Sequence, residues 1–135
     1  MRLAIVPPEN LGLVWQKVEP FLSPAIDQSG GRYTVDSTRS AITKQDMQLW
    51  IAFTEEGEIL AAMTSCIQVY PSKTMLAVVH CGGRMMGVWL HTMSQVEAWA
   101  KEQGCEGVEI AGRAGWAMAL PGYTKVGTLI ERTFS

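Results

Sequence analysis

Apolar positions along the chain change their spacing several times, and each change marks an element. Leu3–Val6 is a short apolar run stopped by Pro7 and Pro8, the signature of a brief strand. From Glu9 to about Ile26 the apolar residues Leu11, Val14, Trp15, Val18, Phe21 and Leu22 fall at helical spacing. Pro20 and Pro24 interrupt them, which predicts a kinked helix or two short ones. Residues 28–32 (Gln-Ser-Gly-Gly-Arg) form a loop, and residues 36–46 predict a second short helix capped by Asp36 or Ser37. The pattern then turns to strands: Leu49–Phe53, a turn at Glu55–Gly57, a long strand over Ile59–Tyr70, another turn at Pro71–Lys73, and Met75–Cys81. The near-continuous apolar run of Met75–Cys81 fits a strand covered on both faces. From Met86 the helical period returns with Leu90, Met93, Val96 and Ala100, joined by Trp89 and Trp99, and runs to Gln103 with Gly104 as its stop. Gly107–Ala111 reads as a strand, Ala114–Leu120 as a short helix and Leu129–Phe134 as a closing strand.

Three strands joined by tight turns predict an antiparallel meander. Strand, long helix and strand then predict a βαβ unit, with parallel strands and a right-handed crossover. The expectation is a single α/β domain over residues 1–135, with a mixed central sheet and helices on both faces. A length of 135 residues, 47% hydrophobic and 18% charged, suits one folded domain with a core of ordinary size. Five Trp and eight Met serve core filling before any dedicated binding face.

A net charge of −2 gives no electrostatic case for nucleic acid or an anionic membrane as partner. Bases outnumber acids only in residues 71–135, which makes that half the better place for an anionic ligand. Cys66, Cys81 and Cys105 are odd in number and widely spaced, which favours free thiols and a reducing cytoplasm. The first residues lack the pattern of a signal peptide, and no uninterrupted apolar stretch approaches the roughly 18 residues a membrane helix needs.

The chemistry concentrates where the Met75–Cys81 strand meets the longest helix, in Val79-His-Cys-Gly-Gly-Arg-Met-Met-Gly-Val-Trp89. Free N–H groups and the positive dipole end of a helix make such a junction a place for anions. Gly82, Gly83 and Gly87 permit close backbone approach, and Arg84 adds fixed charge. Neither the GxxxxGK[ST] nor the GxGxxG phosphate pattern fits. His80, the titratable base of this strand, is the candidate catalytic base. Its neighbour Cys81 points to the opposite face and cannot pair with it, and His91 and the cysteines have no ligand spacing, so no metal is expected.

Arg84-Met-Met-Gly87-Val-Trp89 resembles the Q/R-x-x-G-x-G/A loop of the GNAT superfamily of N-acetyltransferases, and Val96–Ile110 resembles that family's next helix and fifth strand. The order of elements over the whole chain is similar too, although only residues 75–123 align closely. With Gly112–Trp116 and Pro121–Tyr123, the stretch also resembles GNAT-like proteins carried by prophages. The resemblance implies acetyl-CoA or another acyl-CoA as co-substrate, held by Val79, Cys81, Arg84, Met85, Met86, Gly87, Val88 and Trp89. It implies Arg113, Trp116 and Tyr123 on the acceptor side, a small-molecule or protein amine as acceptor, and transfer by direct attack. A homodimer is compatible with it. So is a catalytically inactive binding or assembly module, because the chain departs from the family pattern. Trp89 stands where the last small residue belongs, no Tyr precedes the Gly122-Tyr123 pair on the short helix, and Met75–Cys81 contains no carboxylate. The implied cleft requires the strand ending near His80 and the strand beginning near Gly107 to be parallel neighbours that splay apart.

Overall fold

The computed structural model describes residues 1–83, 87–111 and 120–134, and within residues 88–90 the backbone alone. Strand β1 (Arg2–Ile5) leads through a 3-10 turn at Pro8–Asn10 into α1 (Leu11–Asp27), followed by α2 (Val35–Thr43). Strands β2 (Gln48–Phe53), β3 (Ile59–Val69) and β4 (Thr74–Gly83) come next, then α3 (Gly87–Glu102) and β5 (Gly107–Ile110).

α1 runs unbroken through both prolines, one helix and not two short ones. Its inward stripe is Leu11, Trp15, Val18, Leu22 and Ile26, all buried, whereas Pro20 and Pro24 are exposed. Each proline removes one helical hydrogen bond. The carbonyls so released belong to the exposed residues Gln16 and Pro20, on the side that water reaches. α2 starts one step earlier than its sequence suggested. Thr34, not Asp36 or Ser37, is the cap: its Oγ1 accepts from Ser37 N–H (3.0 Å) while Thr34 N–H donates to Ser37 Oγ (2.9 Å). α3 ends as the sequence predicts. Gly104 takes φ 85°, and the amides of Gly104 and Cys105 donate to the carbonyls of Lys101 and Ala100, a Schellman ending.

The five strands lie in the order β1-β2-β3-β4-β5. The pairs up to β3–β4 are antiparallel and β4–β5 is parallel, so the mixed sheet with helices on both faces is as expected. One face buries Trp50, Met63, Leu76 and Val78 against Met93, Val96 and Ala100 of α3. The other buries Leu49 and Ala62 against Trp15, Val18, Leu22 and Ile26 of α1 and Ile42 of α2. Trp50 and Trp99 meet edge to face at 5.3 Å, and Trp50 Nε1 donates to Ser65 Oγ (2.8 Å).

Two expectations concern the C-terminal part. The short helix over Ala114–Leu120 lies outside the described residues, apart from Leu120. The closing strand over Leu129–Phe134 does not form: residues 124–134 have no strand pairing, and Glu131 is tied instead to Arg32 in the α1–α2 loop (2.9 Å).

Candidate functional site

β4 positions the site, and an irregularity in its pairing with β3 shapes it. Ser65 stands opposite Val78 and Thr64 opposite His80, so Val79 is an extra residue bulged out of the ladder. The bulge breaks the strict alternation of side chains. Val78 packs in the α3-side core, whereas Val79 packs in the α1-side core and His80 turns its ring to Tyr33 of the α1–α2 loop. Cys81 returns to the α3 side.

The parallel pairing with β5 covers Met75–Val78 against Gly107–Ile110, the whole of β5, while β4 continues to Gly83. The two strands are therefore parallel neighbours of unequal length. Beyond Val78 the β5-facing backbone of β4 has no strand partner among the described residues, and α3 begins at Gly87. The start of a helix carries the positive end of its dipole.

His80 is only 2% exposed. Its backbone N–H donates to Thr64 Oγ1 (3.1 Å), and the same hydroxyl lies 2.8 Å from Nδ1. One hydroxyl thus holds both the backbone and the ring of His80, and Nε2 is buried with no partner among the described residues. Tyr33 closes over the ring edge to face, with centroids 4.8 Å apart. Burial lowers the pKa from 6.5 to about 4, so the ring is neutral near pH 7. The base role expected for His80 calls for a pKa nearer neutrality, and desolvation has moved it the other way.

Cys81 is a structural thiol, its pKa pushed up to about 12 by burial, so almost no nucleophilic thiolate exists at neutral pH. Gly82 and Gly83 also answer to packing. A Cβ on Gly82 would stand 1.8 Å from the carbonyl oxygen of Phe21 in α1, and one on Gly83 would stand 2.6 Å from Ala61 Cβ. Neither has positive φ, so their service is close approach of a helix and a strand, not a phosphate turn. Tyr123, expected on the acceptor side, donates from its hydroxyl to Glu97 Oε2 on α3 (2.7 Å). Burial, and then this bond, raises its pKa. It fastens the segment after β5 to α3. Gly87 opens α3, followed by the backbone of Val88 and Trp89, while Arg84, Met85, Met86, Arg113 and Trp116 lie outside the described residues.

The structure thus sets Val79, His80 and Cys81 in the part of β4 beyond its pairing with β5, and joins Tyr123 to Glu97. Sequence reasoning missed Thr64 and Tyr33, the two side chains that fix the histidine. Thr64 and Ser65, polar neighbours inside the otherwise apolar Leu60–Cys66, were the available signal, since a buried hydroxyl needs a partner. Among the described residues, no three His, Cys, Asp or Glu side chains converge in a way that could hold a metal ion. No described helix is long and apolar enough to cross a membrane.

No family model matches the chain. No curated protein matches it in sequence. Its likeness to solved structures is extensive. An aminoglycoside acetyltransferase from an uncultured soil metagenomic sample, solved with sisomicin, superposes with a TM-score of 0.72 at 10% identity, covering 99% of this chain and 95% of the other. The aminoglycoside 6'-N-acetyltransferase of Acinetobacter baumannii gives 0.69 at 14% identity, covering 99% and 97%. A GNAT family acetyltransferase of Staphylococcus aureus gives 0.68 at 11% identity, covering 98% of each chain. At these identities the likeness is one of backbone, and what it establishes is that this chain has the GNAT acetyltransferase fold.

Proposed function

We propose that the protein is an N-acyltransferase that takes its acyl group from acetyl-CoA or another acyl-CoA and passes it to an amine by direct attack. The observation that carries this reading is that β4 runs on to Gly83 after its pairing with β5 ends at Val78, with α3 opening at Gly87. The pantetheine arm, an amide-bearing chain, would lie along the β5-facing side of Val79–Gly83, which has no strand partner among the described residues. Its pyrophosphate would meet the amides at the start of α3, with Arg84 supplying charge. The amine nitrogen adds to the thioester carbonyl, the tetrahedral adduct collapses with loss of the CoA thiolate, and the nitrogen gives up its proton to water. Holding amine and thioester together supplies the rate, since effective molarities of about 10⁵ M and above are within reach of good positioning. His80 is not a proton sink, because its pKa of about 4 lies far below that of an alkylammonium. The neighbours that act on aminoglycosides support a small polyamine-like acceptor.

A second reading has its own observation. Cys81 stays a thiol and Tyr123 is engaged with Glu97, so neither is a ready acid or base. A module that binds the coenzyme without turning it over fits those facts. Titration calorimetry with acetyl-CoA on the natural protein and on Arg84→Glu tests both readings. Binding weakened by about 1–3 kcal/mol in the variant supports the coenzyme site. Acetylation of kanamycin or spermidine then separates the enzyme from the binding module. Absence of any acetyl-CoA binding overturns both.

A further inference from the structure

Strand register places a carboxylate on the α1-side face of the sheet, close to the end of the β4–β5 pairing. Leu76 and Val78 stand beside Val108 and Ile110, and all four turn to the α3-side core. Ala77 and its partner Glu109 therefore turn the other way. Cys66, opposite Ala77 on β3, packs on that same α1 side. Glu109 thus stands partly buried at the end of a row made by a thiol and a methyl group. Tyr70, just past the end of β3, reaches across β4 and donates its hydroxyl to Glu109 Oε2 (2.7 Å). Burial, and then the charge of Glu109, raises the Cys66 pKa, so the negative field of the carboxylate is felt along the row.

Among the described residues Glu109 makes no ion pair. A carboxylate that has lost part of its water and has no counter-ion favours a cation, and the partly exposed Tyr70 ring beside it is a second surface that attracts one. The position suits an acceptor. Glu109 lies level with Ala77, and at a rise of about 3.3 Å per residue Val79 and His80 stand about 7–10 Å further along the sheet. That is where the coenzyme reading brings the thioester. We propose that Glu109, with Tyr70 beside it, is a binding site for an ammonium group, and, resting on that reading, that it holds the second cation of the acceptor while the first amine nitrogen attacks. The acceptor class is then a diamine or polyamine with a short carbon chain between its nitrogens.

Titration calorimetry with cadaverine tests the site on the natural protein, Glu109→Gln and Tyr70→Phe, with circular dichroism melts to show that each is folded. Glu109→Gln keeps an oxygen that can accept from Tyr70 and removes the charge. Tyr70→Phe keeps the ring and the charge. At least tenfold weaker binding is expected in Glu109→Gln and no more than about threefold in Tyr70→Phe, with the natural affinity falling as salt is added. Equal cadaverine affinity in the natural protein and Glu109→Gln, absence of binding in both included, overturns the proposal. So does a loss in Tyr70→Phe as large as that in Glu109→Gln, which would make the pair a structural clasp. In acetylation assays kcat/KM of the natural protein should favour cadaverine over pentylamine at least tenfold, and Glu109→Gln should erase that preference; a preference kept in the variant overturns the acceptor role. A natural protein that binds cadaverine through Glu109 but takes up no acetyl-CoA would sink the coenzyme reading and leave the cation site standing.

Discussion

Replacing Gly82 by Ala introduces one methyl group and should cost as much stability as a severe core truncation. The new Cβ would stand 1.8 Å from the Phe21 carbonyl oxygen, 2.7 Å from its carbonyl carbon and 3.4 Å from its Cα. Ordinary contact between a methyl carbon and an oxygen needs more than an ångström of further separation. A side chain could rotate away, but backbone inside a helix cannot. α1 must therefore lift from the sheet, and its buried stripe of Val18, Leu22 and Ile26 must lift with it. Overpacking typically costs about 1–3 kcal/mol when side chains can yield, so a clash with fixed backbone belongs at the top of that range or beyond it. Against this, Ala recovers roughly 0.5–1 kcal/mol of the backbone entropy that Gly loses on folding. The net expectation is a loss of about 2–4 kcal/mol. Urea denaturation followed by circular dichroism measures it as a lower midpoint at unchanged slope. Gly12→Ala is the control: nothing lies within 4 Å of its Cβ, and an exposed helical Gly→Ala change should gain up to about 1 kcal/mol. A Gly82→Ala loss below about 1 kcal/mol would refute the close-approach account and return Gly82 to the list of candidate phosphate glycines.

Other consequences are as direct. The folded imidazole of His80 has a pKa of about 4 against an ordinary 6.5, so protons bind preferentially to the unfolded chain. Stability should be full above about pH 6.5, fall by about 1.4 kcal/mol per unit down to about pH 4 and then level; His80→Asn, compared by denaturation across that range, should lose this slope. Tyr123→Phe breaks the hydrogen bond to Glu97 and should cost about 1 kcal/mol in thermal unfolding, since Glu97 regains part of its hydration. It should leave any acetyl-CoA affinity unchanged, whereas a loss of affinity would restore Tyr123 to the site. Thr34→Ala removes the α2 cap and should cost about 1 kcal/mol, read from the same unfolding curves.

Period and turn chemistry made most of the architecture legible. The apolar spacing of Met93, Val96 and Ala100, stopped by Gly104, located α3, and the tight turns before Ile59 and after Tyr70 located the antiparallel strands. The parallel pairing of β4 with β5 followed from the strand-helix-strand order with its short connections. Features made by contact between distant residues were not legible. The bulge at Val79 depends on how β3 and β4 register, and no local property of Val-Val-His announces it. Gly82 and Gly83 looked like a phosphate loop because close approach of backbone has the same composition whether the approaching group is a ligand or a helix. The prolines of α1 were misleading for a related reason. Their cost depends on which side of the helix they occupy, and that side is set by the core. His80 is the sharpest case: its residue type suggested a base, and its surroundings keep it buried and neutral near pH 7.

The strands of the sheet are laid side by side in the order in which they occur along the chain, and this bears on how the molecule assembles. Strands β2, β3 and β4 form one uninterrupted piece of sequence whose pairings are hairpins, so the centre of the sheet can form from near neighbours without closing a long loop. Only β1, separated from β2 by α1 and α2, and β5, beyond α3, must be gathered from a distance, and both go to the outside. Low average sequence separation between contacting residues goes with fast folding. On a ribosome the same order lets α1, α2 and the central hairpins pack while α3 and β5 are still being made. β5 and the start of α3, which the proposed coenzyme site needs, are then added to a centre already packed.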